Sequence, residues 1–163
     1  MANRNGALPD PVADKANVIA PPPLIVAVAL AVGYLGQRLD PRPLLPEAIV
    51  PWLGSGLLLV AVAIAASALG ALHKARTPVD PRKATTAIVR TGAYRFSRNP
   101  LYVALSLVYL GVTALCNSLW MGLLVVPVVG ILRFGVIGRE ERYLERKFGD
   151  EYRRYRAEVR RWL

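Results

Sequence analysis

The sequence has few of the side chains that build covalent cross-links, metal sites and nucleophilic active sites. Cys116 is the only cysteine and His73 the only histidine among 163 residues. An intrachain disulfide is therefore excluded, and so is a zinc cluster built from cysteines. Cys116 lies at the end of an apolar run, where a free cysteine ordinarily behaves as a small hydrophobic side chain.

Acidic residues are also scarce, with 11 Asp and Glu against 21 Lys and Arg and a net charge of +10. Such a charge is compatible with nucleic-acid binding, but the basic residues are confined to particular segments. Seven of them lie in residues 73–100 and nine in residues 139–163, between and after the apolar runs. This distribution favours membrane orientation and attraction to anionic lipid, and it argues against a nucleic-acid partner.

Apolar residues make up 54% of the chain, and the mean hydropathy is +0.35. About 20 predominantly apolar residues are needed for a helix to cross the bilayer core. Four runs approach that length: residues 18–36, 49–72, 101–116 and 119–138. The sequence therefore predicts an all-α, multi-pass integral membrane protein with four transmembrane helices. Because cytoplasmic segments are rich in Lys and Arg, both ends of the chain are predicted to be cytoplasmic.

The polar chemistry is unevenly distributed along the chain. Residues 1–17 read as a mobile N-terminal tail, and residues 18–72 as a first pair of transmembrane helices. Residues 73–163 carry nearly all the candidate functional groups, on a loop, an apolar hairpin and an amphipathic helical tail.

Local signals divide this second part further. Prolines prevent the loop from forming one helix, and residues 85–89 are predicted to form a short strand or a helical turn. Gly149 is predicted to break the tail helix. Tyr152, Tyr155, Val159 and Trp162 continue beyond it at helical spacing. The simplest interpretation of this tail is an amphipathic helix on the membrane surface, with aromatic anchors.

The stretch GAYRFSRNPLY, residues 92–102, lies where the basic loop meets the third apolar run. Asn99 fits the N-cap of a helix and Pro100 its first position. Helix N-terminal amides beside Arg95 and Arg98 would form an anion site, and Tyr94 and Tyr102 would add hydroxyl groups or a stacking surface. The alternative is an ordinary helix cap with aromatic residues at the membrane interface.

Three charged residues mark the other end of the hairpin. Arg133, Glu140 and Glu141, together with Ile137 and Leu144, follow the spacing of one helical face. An ionisable group inside an apolar run is a functional candidate, although Arg133 is near enough to the predicted membrane surface to extend its side chain there. The glutamates are suited to holding a diol or an ammonium group. The alternative is ion pairing with Arg142, Arg146 or Lys147 along a solvated face.

These motifs in combination resemble the superfamily of isoprenylcysteine carboxyl methyltransferases and phospholipid methyltransferases. The similarity runs from about Thr77 to the C-terminus, just over half of the chain, and is carried by GAYRFSRNPLY, the apolar hairpin and REERYLERKFGDEYRRYRAEVRRW. It implies a membrane methyltransferase, in a bacterial inner membrane, that uses S-adenosyl-L-methionine on a lipid or lipidated acceptor. By this resemblance the cofactor pocket is lined by Gly92, Tyr94, Arg98, Asn99, Pro100, Leu101 and Tyr102. Glu140 and Glu141 would close the pocket from the other side, and Arg133 or Arg139 would hold the substrate.

One position departs from the family pattern. The carboxyl methyltransferases usually have His where this chain has Asn99, and Asn does not titrate near neutral pH. The resemblance therefore does not specify isoprenylcysteine as the acceptor. A second hypothesis is a non-enzymatic membrane protein that binds anionic lipid head groups through its basic loop and tail.

Overall fold

The structure, a computed structural model, describes Ala16, residues 18–80 and residues 83–162. This part of the chain contains six α-helices, two 3-10 turns and a π-helical segment, and no strand. Except for Ala16, the predicted N-terminal tail lies outside the described residues. The helices are α1 (Pro22–Leu39), α2 (Val50–Lys74), α3 (Pro100–Leu115), α4 (Leu119–Gly130), α5 (Gly138–Phe148) and α6 (Asp150–Glu158). The 3-10 turns are Glu47–Ile49 and Gly92–Arg95, and the π-helical segment is Ile131–Ile137.

The predicted all-α membrane protein is confirmed. Three helices are long and apolar enough to cross a membrane, namely Pro22–Leu39, Glu47–Lys74 and Leu119–Phe148, and α3 is a shorter apolar helix of 16 residues. The predicted bounds need two corrections. The first helix begins at Pro22 rather than residue 18, because Pro22 and Pro23 are accommodated only in a first helical turn. The fourth run continues as helix to Phe148 instead of ending near residue 138.

Proline and polar caps set where the helices begin. α3 starts at Pro100 with Asn99 at the N-cap, as predicted. The Asn99 side chain makes no capping bond, however, and is used elsewhere in the fold. α4 begins after Ser118, whose hydroxyl accepts a hydrogen bond from the Met121 amide. The first turn of a helix tolerates proline, because the amides of that turn have no partner within the helix.

Glycine allows the membrane helices to approach closely. A Cβ atom on Gly54 of α2 would lie 2.5 Å from Leu115 Cγ of α3, and one on Gly111 of α3 would lie 2.9 Å from Leu58. A Cβ atom on Gly33 of α1 would lie 2.7 Å from Met121 Cγ of α4. Small residues at such contacts let the backbones pack without lipid between them. α2 therefore packs on α3, and α1 packs on α4.

A polar turn closes the end of the bundle where α2 and α4 begin. Asn117 has a φ of 43°, and its side-chain oxygen accepts hydrogen bonds from the amides of Leu44 and Leu45. Its amide nitrogen donates to the Leu45 carbonyl at 3.0 Å. Neighbouring Cys116 follows the last residue of α3 and is exposed.

The long helix that contains α4 and α5 is irregular in its middle. Pro127 lies inside α4, and the π-helical segment follows, with the Gly138 amide donating to the Arg133 carbonyl five residues earlier. This wider turn changes the angular relation between residues before and after it. The prediction that Arg133 and the two glutamates share one helical face was based on a regular α-helix. It is wrong, because residues 131–137 are π-helical.

Two further predictions about local structure are corrected. Residues 83–90 form neither a strand nor a helical turn. After the break at Gly149, which is confirmed, α6 ends at Glu158, and Val159 is extended with φ −119° and ψ 134°. The helical spacing therefore stops short of Trp162, and this end of the chain runs back towards α3.

The glycine contact between α2 and α3 gives a direct test of the packing. Gly54→Ala is expected to destabilise the fold by about 1–3 kcal/mol, because its Cβ would overlap Leu115. Gly56→Ala in the same helix is the matched control, since nothing lies within 4 Å of that position, and its effect is expected to stay within about 0.5 kcal/mol. Thermal unfolding of both variants in detergent measures the difference. Equal stability of the two variants would contradict this packing.

Candidate functional site

A cavity of about 500 Å³ lies at the end of the bundle where α1 and α3 begin and α2 ends. Its size is within the range of small-molecule pockets in proteins. The first turns of α1 and α3, the end of α2, α5, α6 and the loop that follows α2 all contribute to its wall. The polar lining residues are Thr77, Asp80, Thr85, Tyr94, Arg98, Asn99, Tyr102, Glu140, Tyr152 and Tyr155.

The structure brings together most, but not all, of the predicted site residues. Tyr94, Arg98, Asn99, Leu101, Tyr102 and Glu140 line the cavity. Gly92, Pro100 and Glu141 are not among the lining residues. Arg133 is exposed, with its guanidinium stacked 5.6 Å from the ring centroid of Phe134, and Arg139 does not line the cavity either.

Gly92 positions the site rather than lining it. Its φ is +60°, a conformation that glycine adopts without strain. A Cβ atom there would lie 3.0 Å from both the backbone oxygen and the hydroxyl of Ser67 in α2. Gly92 therefore allows the 3-10 turn Gly92–Arg95 to rest on α2, and this contact places Tyr94 at the cavity wall.

The two adjacent glutamates have different surroundings. Glu140 faces the cavity and accepts a hydrogen bond of 2.6 Å from the Tyr102 hydroxyl. Glu141 is 6% exposed and accepts two bonds from Arg161, at 3.1 Å from Nε and 2.6 Å from Nη2. Arg98 Nη1 lies 3.4 Å from the same carboxylate. The predicted alternative, pairing along a solvated face, describes neither residue.

The predicted anion site has a different composition from the one expected. The amides of Tyr102 and Val103 donate to the Asn99 carbonyl, and the Asn99 amide donates to the Ser97 hydroxyl. Arg95 is exposed. Of the two arginines named for this site, Arg98 lines the cavity; its guanidinium bonds to Tyr152, and its buried Nε and Nη1 have no hydrogen-bond partner in the described part of the chain.

Tyrosines of α6 complete the wall, and the sequence interpretation missed them. Tyr152 and Tyr155 are buried, and the Tyr155 hydroxyl donates to the Tyr94 carbonyl at 2.8 Å. Burial, followed by the charge of Glu141, raises the pKa of Tyr152 to about 12, and the nearby Arg98 opposes this rise. Burial likewise raises the pKa of Tyr94 and Tyr155. All three therefore present neutral hydroxyl groups at physiological pH, and α6 does not hold these tyrosines as membrane-surface anchors.

Other lining residues come from outside the predicted cofactor half. Pro21, Pro22 and Pro23 at the start of α1 border the cavity, as does Leu72 near the end of α2.

Hydrogen bonds shape the loop that follows α2. Thr77 and Thr86 share a hydrogen bond of 2.8 Å, and the Thr85 amide donates to the Tyr143 hydroxyl. These bonds fold the loop over the cavity. The i, i+3 spacing of Tyr152 and Tyr155 was the sequence signal that could have placed α6 at the cavity. No comparable signal indicated that the prolines of α1 would line it.

Asn99 connects the cavity to the end of the chain. Its side-chain nitrogen donates to the Arg161 carbonyl at 2.9 Å, and the Arg98 amide donates to the Arg160 carbonyl at 2.9 Å. The Ser97 hydroxyl also donates to the Arg161 carbonyl, at 3.2 Å. These bonds hold residues 159–162, here called the C-terminal segment, across the beginning of α3. Asn99 is thus a structural donor at the position where carboxyl methyltransferases usually have His.

Comparison with known proteins gives a family match over much of the region that builds the site. The model of the phospholipid methyltransferase family matches residues 49–151, more than half of the chain, from the start of the second membrane helix into α6. An uncharacterized protein of Haemophilus influenzae is 54% identical over 65 residues, which are 39% of this chain and the whole of that protein. No solved structure matches the chain.

The role of Asn99 can be tested through the C-terminal segment. Asn99→Ala is expected to cost about 0.5–1.5 kcal/mol and to speed hydrogen exchange of the Arg98 amide, because the segment that accepts its bond is loosened. Asn117→Ala, at the opposite end of the bundle, is the control that lowers stability without local effect at Arg98. Unchanged Arg98 exchange in Asn99→Ala would show that this bond does not hold the segment.

Proposed function

The chain belongs to the phospholipid methyltransferase family, and we propose that it transfers a methyl group from S-adenosyl-L-methionine to a lipid-like acceptor in the membrane. The observation that carries the proposal is the cavity itself. It joins Arg98, Tyr102 and Glu140 from separate elements at one end of a membrane bundle. The proposal also places the cavity and both ends of the chain on the cytoplasmic side, because the basic segments 73–100 and 139–163 meet at this end.

The residues present fit the functional groups of this cofactor. S-adenosyl-L-methionine carries a carboxylate, an ammonium group and ribose hydroxyls. Nε of Arg98 has no hydrogen-bond partner in the described part of the chain, and Nη1 has only its 3.4 Å ion pair with Glu141, so both are donors suited to the carboxylate. Glu140 is an acceptor suited to the ammonium group or a hydroxyl, and the neutral hydroxyls of Tyr94 and Tyr152 add further donors.

The cofactor supplies an activated methyl group on a sulfonium, so the protein has to position the reactants and exclude water. α6 and the loop after α2 cover the polar side of the cavity. Leu101, Leu105 and Leu144 provide an apolar side. A cavity with one polar and one apolar wall suits a reaction between a water-soluble cofactor and a lipid-like acceptor.

Glu140 is the residue best placed to handle a proton. An amine acceptor must lose a proton when it is methylated, whereas a carboxylate acceptor needs no base. Both oxygens of Glu141 already accept hydrogen bonds from Arg161, and Arg98 lies beside the same carboxylate. Glu140 faces the cavity and has one neutral donor, Tyr102. In an amine methylation Glu140 would therefore accept the proton.

The acceptor would reach the cavity from the bilayer. Pro23 at the start of α1 is exposed, and Leu101 and Leu105 of α3 are half-buried and line the cavity. The proposal orients this apolar side towards the bilayer. The polar end of an acceptor would then meet Glu140 while its apolar part remains among the helices.

Cofactor binding tests the proposal. S-adenosylhomocysteine is expected to bind the purified protein in detergent with a measurable heat by calorimetry. Glu140→Gln should weaken this binding about tenfold or more while thermal stability is retained, because a charged acceptor in the cavity is lost. The matched control is Glu145→Gln on the same helix, whose ion pair with Arg156 is solvent-exposed. Absence of binding by the wild-type protein up to millimolar cofactor would reject the proposed function and favour a lipid-binding protein.

Methyl transfer provides the second test and identifies the acceptor. Wild-type protein, incubated with methyl-labelled S-adenosyl-L-methionine and a membrane extract, is expected to place label in the lipid fraction. Glu140→Gln should lower the rate for an amine acceptor by about 10²-fold or more, since a positioned base is lost. A carboxylate acceptor should lose rate only as far as cofactor binding is weakened. If label stays entirely in the aqueous fraction, the acceptor is not a lipid.

A further inference from the structure

The C-terminal segment brings one more charged side chain to the site. Backbone bonds to the Arg98 amide, the Ser97 hydroxyl and the Asn99 side chain fix this segment across the start of α3. Trp162 packs against the hydrophobic core cluster that includes Tyr102. The backbone on each side of Arg161 is therefore held, and its side chain reaches Glu141.

Arg161 occupies both oxygens of the Glu141 carboxylate. Its Nη2 donates at 2.6 Å to Oε2 and its Nε at 3.1 Å to Oε1, the two-pronged geometry in which arginine binds carboxylates most strongly. Arg98 has only one contact with this carboxylate, an ion pair of 3.4 Å from Nη1 that lacks hydrogen-bond geometry. Arg161 is thus the principal partner of Glu141.

The cluster contains two guanidinium groups and one carboxylate. The side chains of Arg98 and Glu141 are each 8% exposed, and that of Arg161 is 31% exposed. A buried guanidinium with unused donors is costly unless another group pairs with it. Arg98 lines the cavity, so the group that completes its bonding would be an anionic group of a ligand there.

We propose that Arg161 is a positioning residue: by binding Glu141 through both oxygens, it prevents Arg98 from making a two-pronged bond with Glu141 and so keeps donors of Arg98 available to a ligand oxyanion in the cavity. Without Arg161, Glu141 is the nearest carboxylate that Arg98 can bind in the same two-pronged manner. Arg98 would turn to it, and its donors would no longer face the ligand. The oxyanion is the carboxylate of the cofactor or a phosphate of the acceptor lipid. The first of these sources rests on the proposed function.

The test compares ligands with and without the anionic group. S-adenosylhomocysteine has the amino-acid carboxylate, 5′-methylthioadenosine lacks it, and phosphatidic acid in detergent micelles presents a phosphate. Arg161→Ala is expected to weaken binding of one oxyanion ligand by about tenfold to a hundredfold, while affinity for 5′-methylthioadenosine stays within about twofold. Arg160→Ala, the neighbouring exposed arginine, keeps the same backbone bonds and should bind like the wild type.

A double variant separates positioning from simple structural support. Glu141→Gln added to Arg161→Ala removes the carboxylate that captures Arg98, so oxyanion affinity is expected to recover by severalfold. A structural role predicts a further loss instead. Arg161→Lys should retain part of the affinity, because lysine supplies a charge but not two fixed donors. The melting temperature of each variant checks that it folds. In Arg161→Ala, the Glu141 carboxylate still has a cationic partner, because Arg98 remains beside it.

The outcomes distinguish the sources and the hypotheses. Weaker binding of S-adenosylhomocysteine alone identifies the cofactor carboxylate, and weaker binding of phosphatidic acid alone identifies a lipid phosphate. An equal loss for all three ligands, or no loss for either oxyanion, overturns the role of Arg161. If the wild type binds no S-adenosylhomocysteine, the proposed function fails, and the phosphatidic acid measurement still decides the inference.

Discussion

The buried carboxylate of Glu141 is the interaction on which the site depends. It joins α5 to Arg98 just before α3 and to Arg161 after α6. Removing one partner from a buried ion cluster leaves an uncompensated charge, which is far more costly than loss of a surface pair. These three segments are therefore coupled through one residue, although they are separated in the sequence.

The neighbouring glutamates show how one dipeptide serves two purposes. Successive residues on a helix point about 100° apart, so Glu140 and Glu141 face different surroundings. Glu141 is neutralised by guanidinium groups and holds the scaffold. Glu140 has a tyrosine hydroxyl as its partner and remains directed at the cavity. Pairs of titratable groups in unlike environments are a general means of separating chemical roles.

Much of this arrangement could be predicted from local sequence signals. Apolar run length gave the membrane helices, Asn99 and Pro100 gave the start of α3, and Gly149 gave the break before α6. These signals act over a few residues. The placement of Arg133 could not be predicted, because the π-helical segment departs from the 3.6-residue period that was used to assign the helical face. The contact between Arg161 and Glu141 joins residues that are 20 positions apart. It depends on the extended backbone at Val159 after α6, which no helical pattern predicts.

The π-helical segment also sets the direction in which the two glutamates point. It lies between Pro127 and the two glutamates, and its wider turn holds one more residue per hydrogen-bonded ring than an α-helix does. In a regular α-helix each added residue turns the following ones through about 100°. If residues 131–137 formed regular α-helix, Glu140 would leave the cavity and Glu141 would leave its arginines, without any change to a residue of the site. The backbone conformation of this segment is therefore a requirement of the site that none of the site's own side chains reveals.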